Sequence, residues 1–159
     1  MTRAVNAGVD AIAPREETIG YLVWDARRAY SRDFAEQLRA HGLGIAAFSI
    51  LRILWEEDGL TQAQIAQRAR MSGPTIVAVV AQLEKQGLTR RLADPADQRK
   101  RLIHLRPRAR RLADSILPLA RAINDRALEG FTPAESQMFM EFLRRMRGNF
   151  LDPAVVRED

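Results

Sequence analysis

The apolar side chains change their spacing in one part of the chain, and this change limits the folds that the chain can adopt. Before residue 88 and after residue 106 they recur every three or four residues, as on one face of an α-helix. Between these points they alternate with polar residues, as in β-strands, at 88–92 and 102–105 around a polar tip at 93–100. The sequence therefore predicts a mainly α-helical fold with one small β-hairpin.

Glycines, prolines and capping residues divide the helical parts into six predicted helices. The first begins after Pro14 and ends before Gly42, which gives it about 26 residues, roughly 39 Å. Two capping boxes, each a threonine followed three residues later by Gln or Glu, begin helices at Thr61 and Thr132. The remaining helices are predicted at 45–55, 72–86 and 107–130. Pro118 is expected to kink the helix that contains it, because proline removes a backbone hydrogen bond.

The net charge of +5 is unevenly distributed. Residues 85–111 carry ten basic and two acidic side chains, a net charge of +8, and the rest of the chain is slightly acidic. All but two of these basic residues are arginine, whose planar guanidinium donates paired hydrogen bonds to phosphate. Such a segment makes a polyanion the expected partner.

The residue types argue against an enzyme. The chain has no cysteine and two histidines, and it contains neither an HExxH zinc motif nor a glycine-rich phosphate loop. The acidic run at 56–58 occupies adjacent positions at a helix end, which do not converge as a carboxylate pair, so we interpret it as solvated. We expect no catalytic residues, no metal site and no cofactor.

The sequence also lacks the features of a secreted or membrane protein. We find neither the apolar block of a signal peptide nor the roughly 18 uncharged residues of a membrane span. We therefore expect a cytoplasmic protein with no membrane partner.

The order of the predicted elements is that of a winged helix-turn-helix. A capped helix, a tight turn at Met71 and Ser72, and a second helix at 72–86 precede the basic hairpin. A helix fits the major groove of B-DNA, about 12 Å wide, and a hairpin beside it reaches the neighbouring minor groove. Charge, motif and element order together predict double-stranded DNA as the partner.

Several segments of this region resemble the MarR family of bacterial transcriptional regulators. They are Gly59-Leu60-Thr61-Gln62 with Ile65-Ala66, Ser72-x-x-Thr75, Leu83-Glu84-Lys85-Gln86-Gly87-Leu88 and Asp94-Pro95-x-Asp97-Gln98-Arg99. The resemblance extends over roughly residues 15–150 and implies a homodimer, held by the first, fifth and sixth helices, that reads a pseudo-palindromic operator. At 105–109, Leu-Arg-Pro-Arg-Ala departs from the family's Leu-Thr-x-x-Gly, which leaves the start of the fifth helix undetermined.

The apolar stripes support a dimer independently of the resemblance. Residues 19–38 and 138–146 offer more apolar surface than one winged lobe covers, and such surfaces usually mark interfaces. We therefore assign 45–106 to a DNA-binding lobe, and we assign 15–44 and 107–150 to a helical dimerisation region. Residues 1–14 are expected to form a disordered arm and 151–159 a C-terminal tail.

The resemblance assigns a minor-groove contact to the tip of the wing. The family's Asp-x-Arg matches Asp97 and Arg99, and there the carboxylate orients the arginine toward the groove. The alternative is a solvated charged turn. Phosphate contacts are predicted for four further basic residues, Arg90, Arg91, Lys100 and Arg101.

The helix at 72–86 is the predicted recognition helix. Ser72, Thr75 and Gln82 are its candidate readers of base edges, and Val77 and Ala78 are candidates for contact with thymine methyl groups. Alternatively, Ser72 and Thr75 only cap the helix. Because this face has no arginine to bind guanine, we expect groove shape to supply much of the specificity.

Many members of the family are repressors that small aromatic carboxylate or phenolic ligands release from DNA. By this resemblance a ligand site is expected where the first and second helices meet, lined by Trp24, Arg27, Arg28, His41, Ser49 and Arg52. Arginine beside an aromatic wall suits a carboxylate, because the guanidinium orients the acid. The alternative places Trp24 in the core and the arginines on the surface or in an interface.

A winged helix that binds a protein rather than DNA is the alternative function. Single-stranded RNA is disfavoured, because residues 56–130 contain no Phe, Tyr or Trp on which bases stack.

Overall fold

The computed structural model describes residues 14–150, which contain six α-helices and three short β-strands. The helices are α1 (Ile19–Arg39), α2 (Ile45–Glu56), α3 (Gln62–Ala69), α4 (Gly73–Lys85), α5 (Pro107–Ala127) and α6 (Pro133–Asn149). The strands are β1 (Leu60–Thr61), β2 (Thr89–Ala93) and β3 (Arg101–Leu105). The prediction of a mainly helical fold with a β-hairpin is confirmed. The predictions for residues 1–13 and 151–159 lie outside the described residues.

The chain divides into two compact units, residues 1–123 and 124–159. The described part of the first unit contains α1 to α4, the sheet and most of α5, and that of the second contains α6. No helix within residues 14–150 is long and apolar enough to cross a membrane.

The hairpin belongs to a three-stranded antiparallel sheet, and its third strand is absent from the sequence prediction. β2 and β3 pair from Thr89 opposite Leu105 to Ala93 opposite Arg101. On the other side of β3 lies β1, with Leu60 opposite Ile103, so the strand order is β1-β3-β2. A strand of two residues is too short to show alternation, and only its pairing with a distant strand defines it.

One side of α4 packs into the core of the first unit. Ile76, Val80 and Leu83 of α4 are completely buried, as the predicted helical spacing requires. They pack in the same cluster as Leu51 of α2 and Ile65 of α3. Burying a side chain of this size stabilises the fold by about 1.5–3 kcal/mol. The opposite side of α4 therefore faces solvent.

Two helices, α1 and α5, are shorter than predicted by three residues or more. α1 has 21 residues because Thr18 caps it, its hydroxyl accepting a hydrogen bond from the backbone N–H of Tyr21. A short 3₁₀ turn at Arg15–Glu17 occupies the positions that the sequence analysis gave to the start of this helix. α5 ends at Ala127 and continues through Pro118.

The acidic run after α2 is not simply solvated, and that interpretation is wrong for Asp58. Its Oδ1 accepts a hydrogen bond from the backbone N–H of Leu105 at 2.8 Å, and its Oδ2 lies 2.6 Å from the guanidinium of Arg110. Gly59 has a φ of 78° and donates its N–H to the carbonyl of Ile103. This junction holds β1 beside β3 and ties the end of the wing to the first turn of α5.

The second unit is described over residues 124–150. The predicted capping box of Thr132 and Glu135 is present at the start of α6. The rings of Phe131 and Phe139 lie 5.7 Å apart. α6 has no buried residue, and Met138 and Phe142 are 52% and 53% exposed. The apolar stripe that the sequence placed here is therefore uncovered in the single chain.

We expect Gly59→Ala to destabilise the protein more than alanine at an ordinary left-handed glycine. Alanine costs about 1–2 kcal/mol in this backbone conformation. At Gly59 its Cβ would also lie 2.7 Å from Cε1 of His104. Gly42→Ala is the matched control, because Gly42 has a φ of 70° and open space at the Cβ position. Urea unfolding at one protein concentration should show the larger loss for Gly59→Ala, by about 1 kcal/mol or more.

A His104→Ala background separates the two costs. The ring is then gone, so Gly59→Ala should lower the free energy of unfolding by no more than Gly42→Ala does. The same loss with and without the His104 ring would contradict the steric explanation.

Candidate nucleic-acid interface

The turn between α3 and α4 brings the N-terminus of α4 to the surface. Arg70 is the C-cap of α3, and its φ of 53° turns the chain after the helix. The N–H of Met71 then returns to the carbonyl of Ala66 at 3.2 Å. Ser72 caps α4 by accepting a hydrogen bond from the N–H of Thr75 at 3.4 Å. The predicted turn and cap are confirmed, but an arginine in the left-handed region is uncommon and gave no signal in the sequence.

The solvent side of α4 carries the residues predicted to contact bases. Val77 is 50% exposed. Thr75, Ala78 and Gln82 are exposed as well. The hydroxyls of Ser72 and Thr75 lie 2.8 Å apart and hydrogen-bond to each other, so both serve the cap. The contact of these residues with bases stays a prediction.

The tip of the wing is built around two aspartates. Asp94 accepts a hydrogen bond from the N–H of Ala96 at 2.8 Å. Oδ1 of Asp97 accepts from the backbone N–H of Arg99 at 3.1 Å and from Nε of the same residue at 3.2 Å. The Arg99 side chain nevertheless remains 92% exposed. The carboxylate therefore holds Arg99 at its backbone N–H and at Nε, while the side chain stays almost wholly in solvent, as an inserting group requires.

The other basic residues of the hairpin differ in what they contact. Arg90 is exposed on β2. Nε of Arg91 lies 3.0 Å from Oε2 of Glu84, which ties β2 to α4. Arg101 donates to the carbonyl of Gln98 at 2.7 Å. Arg91 thus has a structural partner that the sequence analysis missed, and its predicted contact with phosphate stays a prediction.

The C-terminal end of α4 makes further contacts that the sequence analysis missed. Nε2 of Gln86 donates to the carbonyl of Gly42, in the turn between α1 and α2, at 3.0 Å. The carbonyl of Gln86 accepts from the guanidinium of Arg108, in the first turn of α5, at 3.0 Å. The partners are 44 and 22 residues from Gln86 in sequence. In the sequence, the one signal that pointed to this region was the departure from the family pattern at 105–109.

The predicted ligand residues lie on α1, on the turn after it and on α2. The guanidinium carbon of Arg28 lies 5.1 Å from the ring centroid of Trp24. Trp24 is 48% exposed and is therefore not a core residue. Ser49 donates to the carbonyl of Ile45 at 2.9 Å, and Arg52 pairs with Glu56.

Arg27 and His41 are exposed. The structure thus pairs one predicted arginine with the predicted aromatic wall, and the site as a whole stays a prediction.

Comparison with known proteins identifies relatives that cover most of the chain. A family model described as MarR family matches residues 43–100, which include α2, α3, α4 and the tip of the wing. The chain is similar to the HTH-type transcriptional regulator TtmR of Methylorubrum extorquens. The two are 28% identical over 142 residues, which make up 89% of this chain and 72% of that protein.

Two solved structures extend this similarity to the fold. A MarR family transcriptional regulator from Silicibacter pomeroyi is 32% identical, with a TM-score of 0.71, over 86% of this chain and 92% of that chain. BpsR of Bordetella bronchiseptica is 26% identical, with a TM-score of 0.77, over 83% of this chain and 94% of that chain. DNA binding by BpsR is regulated by 6-hydroxynicotinic acid.

We expect the pKa of the Asp97 carboxyl to lie below its ordinary value. The side chain of Arg99 donates a hydrogen bond to it, the backbone N–H of Arg99 donates another, and Lys100 adds positive charge. The carboxylate is therefore ionised above its ordinary pKa, and the pair with Arg99 is lost only as the pH falls through the lowered value. An NMR titration of the carboxyl carbon measures this pKa.

Two variants identify the cause. Arg99→Ala removes the largest contribution but keeps the backbone N–H, so the pKa should rise part of the way to its ordinary value. Lys100→Ala should raise it less. A pKa that is the same in Arg99→Ala and in the unmodified protein would show that the guanidinium does not hold Asp97.

Proposed function

Because the chain belongs to the MarR family of transcriptional regulators, we propose that it acts as a homodimer that binds an inverted-repeat operator on double-stranded DNA. The observation that carries this proposal is the position of Arg99, 92% exposed at the tip of a basic wing and oriented by the hydrogen bonds that its backbone N–H and Nε donate to Asp97. A guanidinium held in this way suits the negative potential of a narrow minor groove.

In this proposal α4 enters the major groove with its solvent side facing the bases. Thr75 and Gln82 offer hydrogen-bonding groups, and Val77 and Ala78 offer apolar contact to thymine methyl groups. Arg90, Arg101 and Lys100 contact phosphates and set the position of the wing without reading sequence. The absence of arginine from this side of α4 leaves groove shape, read by Arg99, as a large part of the specificity.

The exposed apolar side chains support the dimer. On α1, Ile19 is 73% exposed and Leu22 is 53% exposed. On α6, Met138, Phe139 and Phe142 are each more than 40% exposed. Apolar patches of this kind usually mark interfaces, and a second copy offers the same surface for a two-fold contact. The two recognition helices would then lie about one helical turn apart, roughly 34–36 Å.

Selection from sheared genomic DNA of the source organism at about 150 mM salt tests the proposal, because non-specific binding is weak at that salt concentration. We expect the recovered fragments to share an inverted repeat whose half-sites are about one helical turn apart. The alternative, a protein partner, would be favoured by two results together: no common DNA sequence is recovered, and the chain binds a protein with an affinity that does not change with salt.

An Arg99→Ala arm of the same experiment tests the role of the wing. Loss of the minor-groove contact should weaken operator binding by about tenfold and reduce the slope of log affinity against log salt by about 1. Arg144→Ala on α6 removes the same charge from a residue outside the proposed contact with DNA. It should leave the affinity for the operator and the salt slope unchanged. Full site preference in Arg99→Ala would contradict readout of groove shape by this residue.

We further propose that the regulator is a repressor that a small aromatic carboxylate or phenol releases from DNA. Trp24 and Arg28 supply an aromatic wall with a guanidinium 5.1 Å from the ring centroid. Arg27, His41, Ser49 and Arg52 complete the proposed set on α1, the following turn and α2. Most of these side chains are exposed in the single chain, so the second copy of the dimer would enclose the ligand. The aromatic acid named for BpsR is of the chemical class that this pair suits.

A panel of aromatic acids that begins with 6-hydroxynicotinic acid tests this site. We expect at least one acid to weaken operator binding, and we expect Arg28→Gln to need about tenfold more acid for the same effect, because the charge-assisted hydrogen bond is lost. Arg32→Gln, also on α1, is the matched control and should respond like the unmodified protein. Equal responses of the two variants would exclude Arg28 from the site.

A further inference from the structure

The C-terminal end of α4 is held at two points by other helices. Gln86 is the C-cap of α4, and Gly87 after it has a φ of 69°. The side chain of Gln86 reaches the carbonyl of Gly42 at 3.0 Å, and its own carbonyl accepts from Arg108 at 3.0 Å. One residue thus connects the recognition helix with the turn after α1 and with the start of α5.

The electrostatics of this junction favour the arrangement. Gly42 follows the C-terminus of α1 and has a φ of 70°, and Gln86 lies at the C-terminus of α4. The C-terminal end of α4 carries the partial negative charge of the helix dipole, and a cation beside it is stabilising. Arg108 supplies that cation in a segment where the chain has Leu-Arg-Pro-Arg-Ala at 105–109.

Stability of the fold alone does not explain why residue 86 is a glutamine. Its Oε1 is buried and has no hydrogen-bond partner among the described residues, which costs free energy. A methionine has nearly the same shape and would remove this unsatisfied oxygen. The amide is therefore better explained by the bond that its Nε2 makes to Gly42.

We propose that Gln86 and Arg108 are positioning residues that fix the recognition helix relative to α1 and α5, and thereby set the spacing of the operator half-sites that the dimer accepts. This inference rests on the proposed function, because spacing has meaning only for a dimer that reads two half-sites. α1 and α5 are helices of the proposed dimerisation region. A recognition helix tied to them keeps a fixed distance from the two-fold axis.

The test uses the half-site recovered from the genomic selection, arranged as inverted repeats whose centre-to-centre spacing varies by single base pairs. The unmodified dimer should prefer one spacing over its neighbours by about tenfold. Gln86→Met should reduce this preference to about threefold or less, while non-specific affinity and thermal stability stay close to those of the unmodified protein. Arg108→Met, which keeps the aliphatic stem, should act in the same direction and gives a second route to the result.

Gln82→Met on the same helix is the matched contrast. Gln82 lies one turn earlier on the solvent side of α4, so its substitution should change base preference within the half-site and leave the preferred spacing unchanged. Gln86→Met should do the reverse. Substitution of a residue that only stabilised the fold would not change base preference without spacing preference, or spacing preference without base preference.

The outcomes distinguish an error in the proposed dimer from an error in the positioning role of Gln86 and Arg108. If the unmodified protein shows no preferred spacing, then both the proposed dimeric reading and this inference are wrong. If it does, and both Gln86→Met and Arg108→Met keep that preference in full, then only the positioning role is wrong. A salt slope reduced by about 1 in Arg108→Met would show that Arg108 contacts phosphate instead of positioning the helix.

Discussion

The pairing of β1 with β3 is the constraint on which the geometry of the candidate interface depends. β1 has two residues and leads directly into α3, so its bond to β3 fixes the helix-turn-helix to the wing. Gly59 makes the required turn, and Asp58 beside it accepts from Leu105 and Arg110 where the wing enters α5. This carboxylate accepts hydrogen bonds both from the backbone at the end of β3 and from a side chain in the first turn of α5. The start of α3, the end of the wing and the first turn of α5 are therefore held together by residues 58–61.

The basic residues of 85–111 have two roles: some pair with groups within the fold, and others remain exposed. Arg91, Arg108 and Arg110 contact Glu84, the Gln86 carbonyl and Asp58 respectively, within the fold. Arg99 at the tip is almost wholly exposed. A charge total from the sequence cannot separate these uses, because each depends on a partner brought near by folding. The basic segment thus carries both the joints of the lobe and its outward-facing charge.

The order and type of the helices, the hairpin and the caps could be predicted because each has a local signal. The capping box at Thr61, the cap at Ser72 and the buried stripe of α4 all follow from residues within one or two turns of each other. The strand β1 and the role of Asp58 could not be predicted, since their partners lie about 40 to 50 residues away and no local pattern reports them. The wing tip was predictable as far as the contact of Asp97 with Arg99, which spans two residues. Its contact with DNA is a proposal.

The two tryptophans differ in burial, and the proposed dimer bears on this difference. Trp55 is partly buried, packs against the core and donates from Nε1 to the carbonyl of Ala109 at 3.0 Å, which joins α2 to α5. Trp24 is half exposed on α1 beside Arg28. An amphipathic ring of this size is costly to leave in water, and a second copy or a ligand would remove it from solvent. In the proposed dimer both possibilities concern α1, the helix whose following turn accepts the Gln86 hydrogen bond. Ligand binding, dimer contact and the position of α4 would then all act through α1, from Ile19 at its start to Gly42 just after its end.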